Sequence, residues 1–227
     1  DAAAAERNRK NYALGSCPTR PGGVLRLTAS RARGDWPEAR TAGLRPTEEV
    51  VIAAVIELLR PLAAGRGQSG VLFADLGSGD GSVVNAVVRA LGCRGVGVEL
   101  AEGLVGRSRA AAAELPERWA GRSRFICADM NEVDLGEVDV LFLYLPHSVL
   151  RQVVSAILPN SGLRMGAKVL VEGTPEDFLN PGIPELRHLQ GGFLAGERRP
   201  RLDLFEWLAD ASGARKRQLI PVWGGER

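Results

Sequence analysis

Val71-Leu72-Phe73-Ala74-Asp75-Leu76-Gly77-Ser78-Gly79-Asp80-Gly81 decides the fold. It is an apolar run, then a carboxylate, then three glycines at alternate positions, and a helical pattern follows from Ser82. A buried strand running into a glycine turn that feeds a helix is a cofactor site. Glycines let a ligand lie against bare backbone, and the helix beyond aims its free N–H groups into the same space.

Outward from this stretch the chain alternates. On the upstream side, Pro46 and the N-cap candidate Thr47 precede Glu48 and Glu49, with carboxylates in the turn the helix dipole favours. Val50, Val51, Ala54, Val55, Leu58 and Leu59 recur at helical spacing, and Pro61 and Gly65 are expected to end that helix. Downstream, Val83–Leu91 reads as the crossover helix, Gly95–Glu99 as a second strand and Glu102–Glu114 as an Ala-rich helix. Arg124–Ala128, Val138–Tyr144 and Gly166–Glu172 read as three further strands, with a helix over Ser148–Leu158. This βαβαβ alternation predicts an α/β fold with a parallel, doubly wound sheet and right-handed crossovers. Leu202–Ala209 and Gln218–Trp223 are the candidates for the last two strands.

The 227 residues fit one α/β domain with appendages, and 45% apolar residues are enough for a sizeable core. The expected division is a basic N-terminal arm over residues 1–46 and the cofactor-binding domain over 47–227. The arm holds nine Lys/Arg against four Asp/Glu, residues 47–186 hold twelve against eighteen, and residues 187–227 eight against five. Basic flanks around an acidic middle point to contacts with acidic surfaces, the domain itself or a larger assembly. No apolar run approaches the roughly 18 residues of a membrane span. Cys17, Cys93 and Cys127 are odd in number and show no metal-ligand spacing. No disulfide framework or zinc site is expected, and a reducing compartment fits this cysteine usage.

The identity of the cofactor turns on charge. The glycines fall at 77, 79 and 81, and Ser82 takes the place of the third glycine of the G-x-G-x-x-G dinucleotide pattern. Asp75 at the strand end would repel a pyrophosphate. It suits a ligand that carries positive charge and no phosphate, such as S-adenosylmethionine with its sulfonium and ammonium groups. Glu99 ends the second strand 24 residues later and is placed to accept both ribose hydroxyls. Asp129 follows the third strand a further 30 residues on, placed to accept from the adenine amino group. The cofactor-binding set is thus Asp75, Gly77, Ser78, Gly79, Gly81, Glu99 and Asp129.

On these residues the chain resembles class I S-adenosylmethionine-dependent methyltransferases over about residues 46–175. The resemblance implies a Rossmann-like seven-stranded sheet with helices on both faces and an antiparallel last strand. Pro46-Thr47-Glu48-Glu49-Val50-Val51, Val96-Gly97-Val98-Glu99 and Asp139-Val140-Leu141-Phe142-Leu143-Tyr144-Leu145-Pro146 are further similar to protein-lysine methyltransferases. The nearest in motif context are the mitochondrial type that modifies the ATP synthase c-subunit and its bacterial relatives. Leu44 stands where that group often has an aromatic, and the Tyr144–Pro146 spacing is one residue shorter than is common there.

The loop after the fourth strand, Tyr144-Leu145-Pro146-His147, lies beside the transferred methyl in that fold. A lysine amine with a pKa near 10.4 must lose its proton, at a cost of about 4–5 kcal/mol at neutral pH unless the site lowers it. Tyr144 is the candidate for orienting the nitrogen and His147 for taking the proton. Glu172 at the end of the fifth strand is placed to line the substrate side. The Asn/Asp-Pro-Pro-aromatic motif of base and amide methylation is absent, and no basic run with interleaved aromatics is present. A protein substrate is therefore expected over a nucleic acid. The alternatives are a methyltransferase-like structural subunit of a mitochondrial or ribosomal assembly, tied in through the arm, and a small-molecule methyltransferase.

Overall fold

The computed structural model describes residues 47–66, 70–174, 178, 182–191, 202–209 and 219–223. The N-terminal arm, and with it Pro46, lies outside the described residues.

Helix α1 (Glu49–Arg66) leads into β1 (Leu72–Leu76), α2 (Ser82–Leu91), β2 (Arg94–Glu99), α3 (Glu102–Ala113) and β3 (Ser123–Cys127). A two-residue β4 (Val133–Asp134) precedes β5 (Val140–Leu143), α4 (His147–Gln152) and β6 (Lys168–Glu172). Then come β7 (Leu186–Gly191), β8 (Leu202–Trp207) and a short β9 (Ile220–Pro221). The seven-stranded sheet has the order β3-β2-β1-β5-β6-β8-β7. Strands β3, β2, β1, β5 and β6 are mutually parallel, β8 is antiparallel to β6, and β7 is antiparallel to β8. The order reverses between β1 and β5, both of which are buried at every position. Apart from Asp75 their residues are apolar, as a strand covered on both faces requires.

Alternation along the strands divides the core in two. Phe73, Phe142 and Leu170 face Val51, Val55 and Leu59 of α1 and Val84 and Val88 of α2. Leu76, Leu143 and Val171 face the other way, onto Val149 and Leu150 of α4 and the turns after it. Helices therefore cover both faces, as expected.

Four local expectations are corrected. Helix α1 runs through Pro61 to Arg66 because Leu59 and Ala63 are both buried and hold it to the sheet, while the carbonyl Pro61 leaves unpaired belongs to exposed Glu57. Its cap is Glu48, whose carbonyl accepts from Val51 and Ile52 at 2.9 and 3.1 Å, so Thr47 lies one residue outside. The helix after β5 is α-helical only to Gln152; a π-turn over Val153–Ile157 and a 3-10 turn over Leu158–Asn160 complete it. The candidate strand at 218–223 shrinks to Ile220–Pro221 and pairs with β4, not with the main sheet. Leu186–Gly191 takes its place in the main sheet.

Cys93 is a buried free thiol. Cys127, half-buried at the end of β3, is disulfide-bonded, against the expectation drawn from the odd cysteine number. Among the described residues no helix is long and apolar enough to cross a membrane, and no cluster of side chains is arranged to hold a metal.

Candidate functional site

The register of the parallel strands builds the site. Leu76 pairs with Val98 on one side and Leu143 on the other, and Leu143 pairs with Val171. The next residues outward are Glu99 on β2, Gly77 on β1, Tyr144 on β5 and Glu172 on β6, one row across four strands. Asp75 sits one pair back, between Gly97 and Phe142. Side chains alternate along a strand, so Asp75, Glu99, Tyr144 and Glu172 project to the α1/α2 face. The row lies at the carboxyl ends of the strands, at the switch in strand order, where ligands of open α/β sheets bind.

The glycine turn is tied to this row by its own backbone. The N–H groups of Gly77 and Ser78 both donate to the Val98 carbonyl, at 2.8 and 3.1 Å. Gly77, Gly79 and Gly81 all adopt positive φ, at 79°, 55° and 75°. Gly81 also has no room for a side chain. A Cβ there would stand 2.6 Å from the Phe125 ring and 2.7 Å from Ser108, so it performs the close helix-to-strand packing sought at position 82. Asp80 accepts from the Ser82 N–H at 3.1 Å and caps the start of α2. Ser78 is buried, and its hydroxyl has no hydrogen-bond partner among the described residues.

Glu99 is held on both oxygens. Oε2 accepts from the Gly79 N–H at 3.1 Å and Oε1 from the Ala101 N–H at 2.9 Å. Its carboxylate is therefore fixed beside the glycine turn. Asp75 is 4% exposed, and burial together with the nearby charges of Glu99 and Asp80 pushes its carboxyl up to about 8. Among the described residues no cation or hydrogen-bond donor meets it. A buried carboxyl with no protein partner beside a glycine turn fits a cationic, phosphate-free ligand. Asp129 lies just past β3, next to Ala128, whose N–H donates to the Glu99 carbonyl at 3.1 Å. Its Oδ1 accepts from the Asn131 backbone and side-chain nitrogens at 2.9 and 2.7 Å.

Asp75 and Glu99 are thus brought together, with Asp80 as a third acid that sequence reasoning left out. Tyr144 is half-buried against the α1/α2 core. His147 is exposed at the start of α4, where its Nε2 lies 2.7 Å from the Gly173 carbonyl. That contact makes Nε2 the protonated, donating nitrogen. Leu145 covers the turn: a Cβ on Gly77 would lie 2.9 Å from its Cδ2. Its signal in the sequence was only its place in the loop after β5.

No protein-family model and no curated protein matches the chain. Solved structures do. An RNA methyltransferase from Salinibacter ruber in complex with S-adenosyl-L-homocysteine is 28% identical, with a TM-score of 0.57 over 73% of this chain and 95% of that one. The putative methyltransferase yhhF from Escherichia coli is 16% identical, with a TM-score of 0.54 over 74% and 89%. The magnesium protoporphyrin IX methyltransferase ChlM from Synechocystis, with S-adenosylmethionine bound, is 16% identical, with a TM-score of 0.52 over 80% and 94%. The fold is the Rossmann-like methyltransferase fold. With this site, the chain is an enzyme of the S-adenosylmethionine-dependent methyltransferase class.

Proposed function

We propose that the chain transfers a methyl group from S-adenosylmethionine to the side-chain amine of a protein lysine, with Asp75, Glu99 and Asp129 holding the cofactor. When bound, the cofactor supplies an electrophilic methyl carbon on a cationic sulfur. The glycine turn admits it against backbone, Glu99 accepts its ribose hydroxyls through the lone pairs not used by Gly79 and Ala101, and Asp129 accepts from the adenine amine. Asp75, which keeps its proton up to about pH 8 without a ligand, would ionise against the positive charge of the cofactor. Tyr144, one strand over from the turn, is a wall for the acceptor nitrogen. His147 anchors the backbone after β6 through Gly173 and so positions that wall's far side. Leu145 closes the turn from above and excludes water.

The observation that carries the amine reading is that the row holds acids and no basic side chain. The site face presents Asp75, Glu99 and Glu172, and residues 47–186 hold eighteen acidic against twelve basic residues. A phosphate backbone would be repelled there, whereas a lysine ammonium is attracted. RNA is the second reading, favoured by the activity of the Salinibacter ruber neighbour. Calorimetry with S-adenosylhomocysteine, followed by transfer of a labelled methyl to lysine-rich protein or to RNA in parallel, tests both halves. Label in protein that survives nuclease and is recovered as methyl-lysine is the expected result; label only in RNA overturns the lysine assignment.

A further inference from the structure

Glu172 is not used by the cofactor. It ends β6, next in the row after Tyr144 and two strands from β1. At about 4.8 Å between strands, this places its backbone about 10 Å from that of the glycine turn. The residue is 7% exposed, and among the described residues its carboxylate makes no hydrogen bond or ion pair. Glu48, exposed at the cap of α1, the helix that covers this face, adds its charge to burial in pushing the Glu172 carboxyl up to about 7. A buried carboxyl with no protein partner and a second acid's charge bearing on it is costly to ionise. A cation between them removes that cost.

We propose that Glu172 and Glu48 form the acceptor subsite, which grips the primary ammonium group of the substrate beside Tyr144 and in which Glu172 receives its proton. The inference rests on the methyltransferase reading above and names the group that recognises the substrate. In the step, R–NH3+ gives one proton to the Glu172 carboxylate and becomes R–NH2. The nitrogen lone pair then forms the N–C bond while the methyl–sulfur bond breaks and its electron pair stays on sulfur. The product is R–NH2+–CH3, the sulfur is left neutral, and Glu172 passes its proton to solvent. A carboxyl poised near neutrality suits this exchange.

The test uses the full chain saturated with S-adenosylhomocysteine and follows thermal unfolding with n-butylammonium chloride, n-butanol and sodium chloride as probes at matched ionic strength. In the wild type, n-butylammonium should raise Tm beyond either control. In Glu172→Gln that increment should be lost, corresponding to at least tenfold weaker binding, with S-adenosylhomocysteine affinity unchanged. Glu48→Gln, at an exposed position whose capping carbonyl is untouched, should weaken it about two- to fivefold and guards against misfolding of the first variant. Equal butylammonium responses in wild type and both variants, or no ammonium-specific response in a wild type that binds S-adenosylhomocysteine, overturn the subsite while the cofactor assignment stands. A wild type that binds no S-adenosylhomocysteine overturns both.

Discussion

Replacing Asp75 by Asn should make the ligand-free protein more stable at high pH. The folded carboxyl titrates at about 8 against 3.8 for the ordinary group, a consequence first of burial and then of Glu99 and Asp80. Below the unfolded pKa both states carry the proton, and the residue has no pH effect. Between roughly pH 4 and 8 the folded state keeps the proton and the unfolded state has lost it, so stability falls as pH rises. Above the folded pKa the loss is complete. A gap of about four units at 1.36 kcal/mol each sets a ceiling of about 5 kcal/mol. Water entry around an ionised Asp75 lowers this, and about 2–3 kcal/mol is the expected size. Urea unfolding of wild type and Asp75→Asn at pH 4, 6, 7.5 and 9 measures it. The two midpoints should agree at pH 4 and separate in favour of the variant by pH 9. Saturating S-adenosylmethionine should flatten the wild-type pH dependence, since its positive charge faces the ionised acid, and the variant should bind it at least tenfold more weakly. Midpoints that run parallel across the whole range refute the argument that Asp75 is a buried acid awaiting a cation.

Other outcomes follow from the same geometry. Glu99→Ala should reduce S-adenosylhomocysteine affinity by roughly 10- to 100-fold in calorimetry, because a bidentate acceptor and the brace on Gly79 are lost together. Gly81→Ala forces a side chain into positive φ and onto the Phe125 ring, and should cost about 2–4 kcal/mol in urea unfolding while weakening cofactor binding. Asp139→Ala, at the amino ends of the central strands, away from the site, removes the acceptor for the Leu72 N–H at 2.8 Å and the partner of Arg164. It should cost about 1–3 kcal/mol yet leave S-adenosylhomocysteine affinity unchanged. Glu172→Gln should raise the apo Tm at pH 8 but not at pH 5, because burial and Glu48 raise the wild-type carboxyl.

The positions proposed to hold the cofactor could be picked out in the sequence because their signals are local. Asp75, the three glycines and Glu99 each sit at a strand end that its own apolar run defines, and their spacing carries the chemistry. Of the proposed acceptor half, Tyr144 and Glu172 were legible as lining residues, but their adjacency was not, because it is set by register. Glu172 reads in the sequence as the end of a strand, and only the Leu143–Val171 pairing brings it beside Tyr144. Glu48 reads as a favourable first-turn charge, and nothing nearby in the chain announces that its charge bears on Glu172. The edge strand β7 was missed because only Leu186 of Leu186–Gly191 is buried, so no alternation marks it. Pro61 misled for a related reason. A local breaker was outweighed by the burial of Leu59 and Ala63 on the turns either side of it.

The row across β2, β1, β5 and β6 has one more implication. Its members ride on neighbouring rungs of a hydrogen-bonded ladder, so the gap between donor and acceptor handles comes in whole-strand increments. Swapping side chains along the row changes what is gripped, whereas reach is altered only by moving a handle to another strand. Recruiting a bulkier acceptor would thus draw on β8, beyond β6, or on the cap of α1, leaving the rungs that seat the cofactor untouched.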